Sequence, residues 1–143
     1  MNSMLNITPS LTTLTNTANL GNPDTSAANT TYIDGTSLAN TSNIATLDFS
    51  CKFNRFTANG AVGSLNNLTS LRLRNNGIGQ YGGSSPQIDI SYTKLGQAAL
   101  VQVFNDLPTV TGKTINITGA SGAAALTAPE RAIATGKGWT ITG

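Results

Sequence analysis

Two carboxylates, Asp48 and Asp89, each stand between two apolar residues, Leu47/Phe49 and Ile88/Ile90, and Arg72 stands the same way between Leu71 and Leu73. A glycoside hydrolase needs a carboxyl pair about 5–5.5 or 6.5–9.5 Å apart, with one acid held protonated. Read as neighbours on adjacent strands with Arg72 between them, both carboxyls would be held ionised, the wrong state for that acid. The chain has no histidine, and Cys51 is its single cysteine. Thiolate and imidazole zinc sites and intramolecular disulfides are thereby excluded, and a lone thiol fits folding in a reducing cytoplasm. Gly77-Ile78-Gly79 and Gly119-Ala120-Ser121-Gly122 lack a phosphate-binding lysine and an acidic ribose ligand, so they read as turns. Asn-x-Thr sequons such as Asn6-Ile7-Thr8 and Asn116-Ile117-Thr118 are expected by chance in a chain with 22 Thr and 16 Asn. Neither catalysis nor a cofactor is expected.

The elements that must carry these side chains follow from composition and period. The chain has 143 residues, of which 10% are charged against about 25% in an ordinary domain. One core is the most this length supports. A net charge of +2 without a basic cluster argues against nucleic acid and anionic membranes as partners. No apolar run approaches the roughly 20 residues of a membrane span, and the N-terminal stretch does not read as a secretory signal. Residues 1–42 hold 10 Thr, 7 Asn and 5 Ser, with only Asp24 and Asp34 charged. Such a segment buries too little apolar surface to fold alone. Its anchors, Leu5, Ile7, Leu11, Leu14, Leu20, Tyr32 and Ile33, fit an extended arm docked onto something else; a floppy leader and poorly marked strands of the same domain are the alternatives.

Residues 43–143 carry all 8 cations and are patterned. Alternating apolar pairs recur at Leu47/Phe49, Leu71/Leu73, Ile88/Ile90, Ile115/Ile117 and Trp139/Ile141, at steps of 24, 17, 27 and 24 residues. One short strand per period in the twenties predicts a solenoid, whose repeats bury a core only by stacking. The pairs are placed on neighbouring parallel strands with helices on one face, one sheet face buried and the other wet. Leu95, Ala99, Leu100, Val103, Phe104 and Leu107 share a helical stripe, with Thr93 as the expected N-cap and Pro108 as the stop. Thr127 and Glu130 have capping-box spacing around Pro129, which predicts a second helix ending near Gly136 or Gly138. The connections from Cys51 to Leu68 and from Asn75 to Pro86 read as turns or irregular coil.

At Leu68-Thr69-Ser70-Leu71-Arg72-Leu73-Arg74-Asn75-Asn76-Gly77-Ile78 the sequence fills the repeat pattern L-x-x-L-x-L-x-x-N-x-L, with Ile in the last place. That resembles a leucine-rich repeat. Other units keep the strand pair but lack the asparagine. From Ile88 to Thr93, from Leu107 to Gly119 and from Ala132 to Gly143, the chain resembles the leucine-rich-repeat ends of bacteriophage virion proteins and bacterial surface proteins. The resemblance implies a short leucine-rich-repeat-like α/β solenoid at 43–143, and the extended N-terminal arm at 1–42, read from composition alone, lies outside it. It further implies a non-enzymatic virion part, a capsid decoration, head-fibre or tail-associated subunit, made in the host cytoplasm. Its partners would be other virion proteins, and the last strand, Trp139-Thr140-Ile141-Thr142, which lacks an obvious cap, adds the expectation of further copies of itself, such as a trimer. The second implied role is a surface adhesion module that binds a host protein or glycan.

With the apolar pairs inward, the open sheet face is expected to display Asp48, Arg72, Arg74, Asp89, Ser91 and Asn116. That face is either a polar recognition surface or a solvated one crossed by weak ion pairs, about 0.2–1 kcal/mol each.

Overall fold

A computed structural model describes residues 11–14, 32–33, 43–49, 55–58, 65–74 and 88–143. Eight short strands are present: β1 (Thr13–Leu14), β2 (Tyr32–Ile33), β3 (Thr46–Phe49), β4 (Arg55–Thr57), β5 (Ser70–Leu73), β6 (Ile88–Asp89), β7 (Lys113–Asn116) and β8 (Trp139–Thr142). Two α-helices, α1 (Gln97–Asp106) and α2 (Ala128–Thr135), and a 3-10 turn at Ala123–Ala125 complete the described elements. Every pairing among the described strands is parallel. The fold is mixed α/β, with two sheets and no closed barrel.

The chain deals its strands between the sheets. One sheet has the order β1-β3-β5 and the other β2-β4-β6-β7-β8, so from β1 to β6 successive strands fall in alternate sheets. Beyond β6 a helix stands where the alternate strand would be: α1 between β6 and β7, α2 between β7 and β8. Helix α1 packs against both β5 and α2, and α2 packs against β8. Register partners within a sheet lie 24 residues apart at Leu47↔Leu71, 27 at Ile88↔Ile115 and 26 at Ile115↔Ile141. Those are full circuits of the chain. The 17-residue step from Leu71 to Ile88 is a half circuit, too short to return to the same sheet. The expectation that all five apolar pairs lie side by side in one sheet is therefore corrected: Leu47 and Leu71 belong to one sheet, and Ile88, Ile115 and Trp139 to the other.

Alternation within the strands survives this correction, because each sheet turns one face to a common interior. Leu47, Leu71, Leu73, Ile88, Ile90, Ile115 and Ile117 are all at most 1% exposed, and Trp139 is buried beside them. Each such side chain is worth about 1.5–3 kcal/mol when removed from water. Strand β4 falls in a connection read as turn or coil; it brings Phe56 fully into the core. The one apolar alternation here is Phe56 with the small Ala58, both fully buried, a weaker signal than the paired large side chains of the other strands.

The helices follow the predicted stripes but differ at their starts. In α1, Leu100, Val103 and Phe104 are buried, and Leu95 and Leu107 flank it in the core. Its N-cap is Gly96, not Thr93. The Thr93 hydroxyl donates instead to the Ile90 carbonyl at 2.8 Å and is buried in the turn that leaves β6. Helix α2 starts after Thr127, with Pro129 in its first turn, and its C-cap is Gly136. The Glu130 carboxylate accepts from the Thr127 N–H and hydroxyl, both at 2.8 Å, and reaches across to the Gln97 amide at 3.0 Å, joining the two helix starts. Lys137 donates to the carbonyls of Phe104, Asn105 and Leu107 at 2.8–3.0 Å, supplying a cation and donors where α1 ends in unsatisfied acceptors. Trp139 adds an indole bond to Pro108 at 2.8 Å.

Of the segment 1–42, β1 and β2 are described. β1 extends one sheet beyond β3, and β2 extends the other beyond β4, while Leu11 and Leu14 pack half-buried on the core. Tyr32 and Ile33 form β2. Leu5, Ile7 and Leu20, also assigned to the arm, lie outside the described residues.

Candidate functional site

The polar residues expected on one open face divide between the two sheets. On the first, Arg72 of β5 stands in register with Asp48 of β3. The ion pairs do not follow that register. Arg72 donates through Nε and a terminal amine to the Asp106 carboxylate at 2.8 and 3.0 Å, and Arg74 donates to Asp48. Asp106 is the last residue of α1, with its side chain 7% exposed, and it also accepts the Leu73 N–H at 3.0 Å and the Gln102 amide at 3.2 Å. The hydrogen bond that Arg72 donates to Asp106 holds its guanidinium above its ordinary value, against a smaller opposing effect of burial and with added attraction from Asp106 and Asp48. Chemically this is a clamp: the end of α1 is fastened to the last strand of the smaller sheet, and one edge amide of that strand receives an acceptor.

Asp89 does not adjoin Arg72, contrary to the expected Asp48–Arg72–Asp89 ladder. It lies on β6 of the other sheet, because the half circuit after β5 carries the chain across. There it belongs to a polar row in register over four strands: Thr57, Asp89, Asn116 and Thr142. Asp89 Oδ1 accepts the Ser91 N–H at 3.1 Å, the Ser91 hydroxyl at 2.6 Å and the Asn116 amide at 3.2 Å. Asn116 Oδ1 accepts the Thr118 N–H at 3.1 Å and its hydroxyl at 2.7 Å. Strands β6 and β7 thus end in the same turn, with a planar acceptor binding the hydroxyl residue two places on. Ser91, expected on the open face, is 3% exposed because its hydroxyl turns back to Asp89.

Backbone bonds join these turns. Ile90 donates to Asn116, Tyr92 to Thr118, Ser121 to Thr93 and Gly122 to Leu95, at 2.9–3.1 Å. Tyr92, with φ 56°, and Gly119, with φ 68°, occupy the same left-handed place in their turns. Three side chains central to this arrangement escaped the reading of the sequence: Asp106, Lys137 and Tyr92. Asp106 left one signal, an acid at a helix C-terminus where the helix dipole disfavours it unless a cation is near. Tyr92 left another: aligning Ile88-Asp89-Ile90-Ser91-Tyr92 on Ile115-Asn116-Ile117-Thr118-Gly119 sets a tyrosine against a glycine.

Among the described residues no three acidic or sulfur-bearing side chains cluster to hold a metal ion, and no helix is long and apolar enough to cross a membrane. No protein-family model, curated protein or solved structure matches this chain.

Proposed function

We propose that the chain is a short parallel solenoid of the leucine-rich-repeat type, acting as a non-enzymatic structural subunit of a bacteriophage particle: a capsid decoration, head fibre or tail-associated part. The observation that carries this reading is the way the polar N-terminal segment pairs. A nearly uncharged, Thr- and Asn-rich stretch contributes one two-residue strand to each sheet, beyond β3 and beyond β4, and sets Leu11 and Leu14 against the core. Main-chain pairing at a sheet edge with small apolar anchors is a mode by which an extended segment docks on a folded neighbour. Those two strands pair within their own chain, and in the particle the rest of residues 1–42 supplies the attachment arm to neighbouring capsid or tail subunits. Circuits of 23–33 residues between register partners, with backbone bonds from turn to turn, support the solenoid. Among the described residues β8 pairs on one side only, and a second copy covering that edge accounts for homo-oligomers such as a trimer.

Mass spectrometry of purified particles tests the reading. It predicts the chain in many copies per particle, and its absence from particles refutes it. A second reading, a bacterial surface adhesion module binding a host protein or glycan, is favoured by the exposed Tyr92 beside the Asp89–Asn116 row. It predicts the protein in the cell-surface fraction and not in particles.

A further inference from the structure

Tyr92 is the one large apolar side chain that stands well exposed among the described residues, at 65%. Its backbone is left-handed, φ 56°, a conformation that a bulky residue adopts at a cost and glycine adopts freely. The next turn solves the same problem with Gly119. A Cβ added at Gly119 would meet Tyr92 Cδ1 at 2.7 Å and Cε1 at 2.8 Å, so the ring rests against bare backbone that leaves room for it. Folding alone asks for glycine at 92. A strained, exposed aromatic where glycine suffices points to function.

The surroundings say what it would recognise. The Tyr92 N–H donates to Thr118, whose side chain is exposed and bonded to Asn116, and Asn116 in turn is bonded to half-buried Asp89. Around the ring, the two turn segments 88–93 and 115–120 offer a carboxylate, an amide and hydroxyls but no cation. All three bonds to Asp89 from described residues end on Oδ1, which leaves Oδ2 for an incoming donor. A single-stranded nucleic acid would need cations beside the aromatic. A protein hot spot would need an apolar surround to exclude water, and among the described residues no other large apolar side chain stands exposed to supply one. An aromatic face beside planar polar groups suits a ligand with one apolar face and a rim of hydroxyls.

We propose that Tyr92, Asp89, Asn116 and Thr118 form a binding site for a neutral saccharide. The tyrosine ring stacks on the C–H face of a pyranose, and Asp89 Oδ2 and the Thr118 hydroxyl exchange hydrogen bonds with its ring hydroxyls. The proposal rests on the glycan-binding form of the second reading and stands apart from the particle reading: sugar binding by the purified chain tests the site, and the cell-surface or particle location of the protein tests the two readings.

The test is saturation-transfer NMR on the full chain with methyl glucoside, methyl galactoside, methyl mannoside, N-acetylglucosamine and linear oligomers of the same sugars. The unsubstituted protein should transfer saturation to the C–H protons of at least one of them. Tyr92→Gly should weaken that binding by about tenfold or more, the factor that about 1.4 kcal/mol represents. Its melting temperature should stay level or rise, because glycine suits the φ. Tyr92→Phe should keep the binding. Tyr92→Asn, which tolerates the left-handed region, repeats the loss should the glycine variant misfold. Absence of transfer to every sugar, or equal transfer in Tyr92→Gly or Tyr92→Asn, overturns the proposal. So does a change from oligomer to monomer in those variants, which would make Tyr92 a contact between copies of this chain.

Discussion

Replacing Asp106 with alanine should cost far more than its place at a helix end suggests. The carboxylate accepts from two nitrogens of Arg72, from the Leu73 N–H and from Gln102, at 2.8–3.2 Å. A hydrogen bond to a charged group contributes about 1.5–3 kcal/mol, and a buried donor stripped of its acceptor costs about 1–3 kcal/mol. Breaking a fully buried ion pair would cost about 3–5 kcal/mol. The Arg72 side chain is 35% exposed, so it regains water when its partner is lost and the ion pair counts nearer the surface range of about 1 kcal/mol. Removing an acid from a helix C-terminus returns about 0.3–1 kcal/mol. The balance is a loss of about 2–3 kcal/mol, carried mainly by the Leu73 amide on the edge strand of the smaller sheet. At about 3–5 °C per kcal/mol for a chain of this size, the melting temperature should fall by about 6–15 °C. Urea unfolding followed by far-UV circular dichroism gives the free energy directly, with the slope unchanged. Arg74→Ala is the control, since its pair with Asp48 is more open, with side chains 49% and 22% exposed, and should cost at most about 1 kcal/mol. An Asp106→Ala loss no larger than that of Arg74→Ala would refute the claim that α1 is clamped to the sheet edge.

Gly138→Ala should abolish soluble folded protein, because its φ is +86° and the added Cβ would lie 1.9 Å from the Val110 carbonyl oxygen, backbone that cannot yield; Gly112→Ala, at φ +65° but with open space around it, should lose only about 1–2 kcal/mol, as compared by thermal melting. The bonds from the Thr127 N–H, Gln97 and the Thr127 hydroxyl, in that order, hold the Glu130 carboxyl below its ordinary value. A lowered folded-state value means stability that is present above the ordinary glutamate range and is lost as pH falls through the folded value. The urea midpoint should therefore drop on acidification below the ordinary glutamate range, and Glu130→Gln should flatten that part of the profile.

How much could be read in advance depended on whether the signal was local. Alternating apolar pairs announced β3, β5, β6, β7 and β8, since alternation places one side chain in the core and the next in water whatever lies opposite. The stripe from Leu95 to Leu107 announced α1, and Thr127 with Glu130 announced the start of α2, because both patterns act within a turn or two of helix. β4 was illegible: Phe56 is its single apolar residue, and it is a strand only because Tyr32–Ile33 and Ile88–Asp89 pair on its two sides. Thr93 looked like a helix cap because hydroxyls cap helices in general, but a buried turn claimed its hydroxyl first.

The candidate site shows the same division. Sequence alone identified Asp48, Arg72, Arg74, Asp89, Ser91 and Asn116 as the polar residues that accompany the apolar pairs, because a strand side chain that alternates with a core residue faces the other way. Which of them meet was decided by the path of the chain between strands. A half circuit of 17 residues put Asp89 in the second sheet, with Asn116 as its neighbour, and left Arg72 to Asp106, a residue 34 positions away on a helix. Periodicity sets the direction of a side chain relative to its own strand; only the closing of each circuit, and the burial that drives it, sets what that side chain touches.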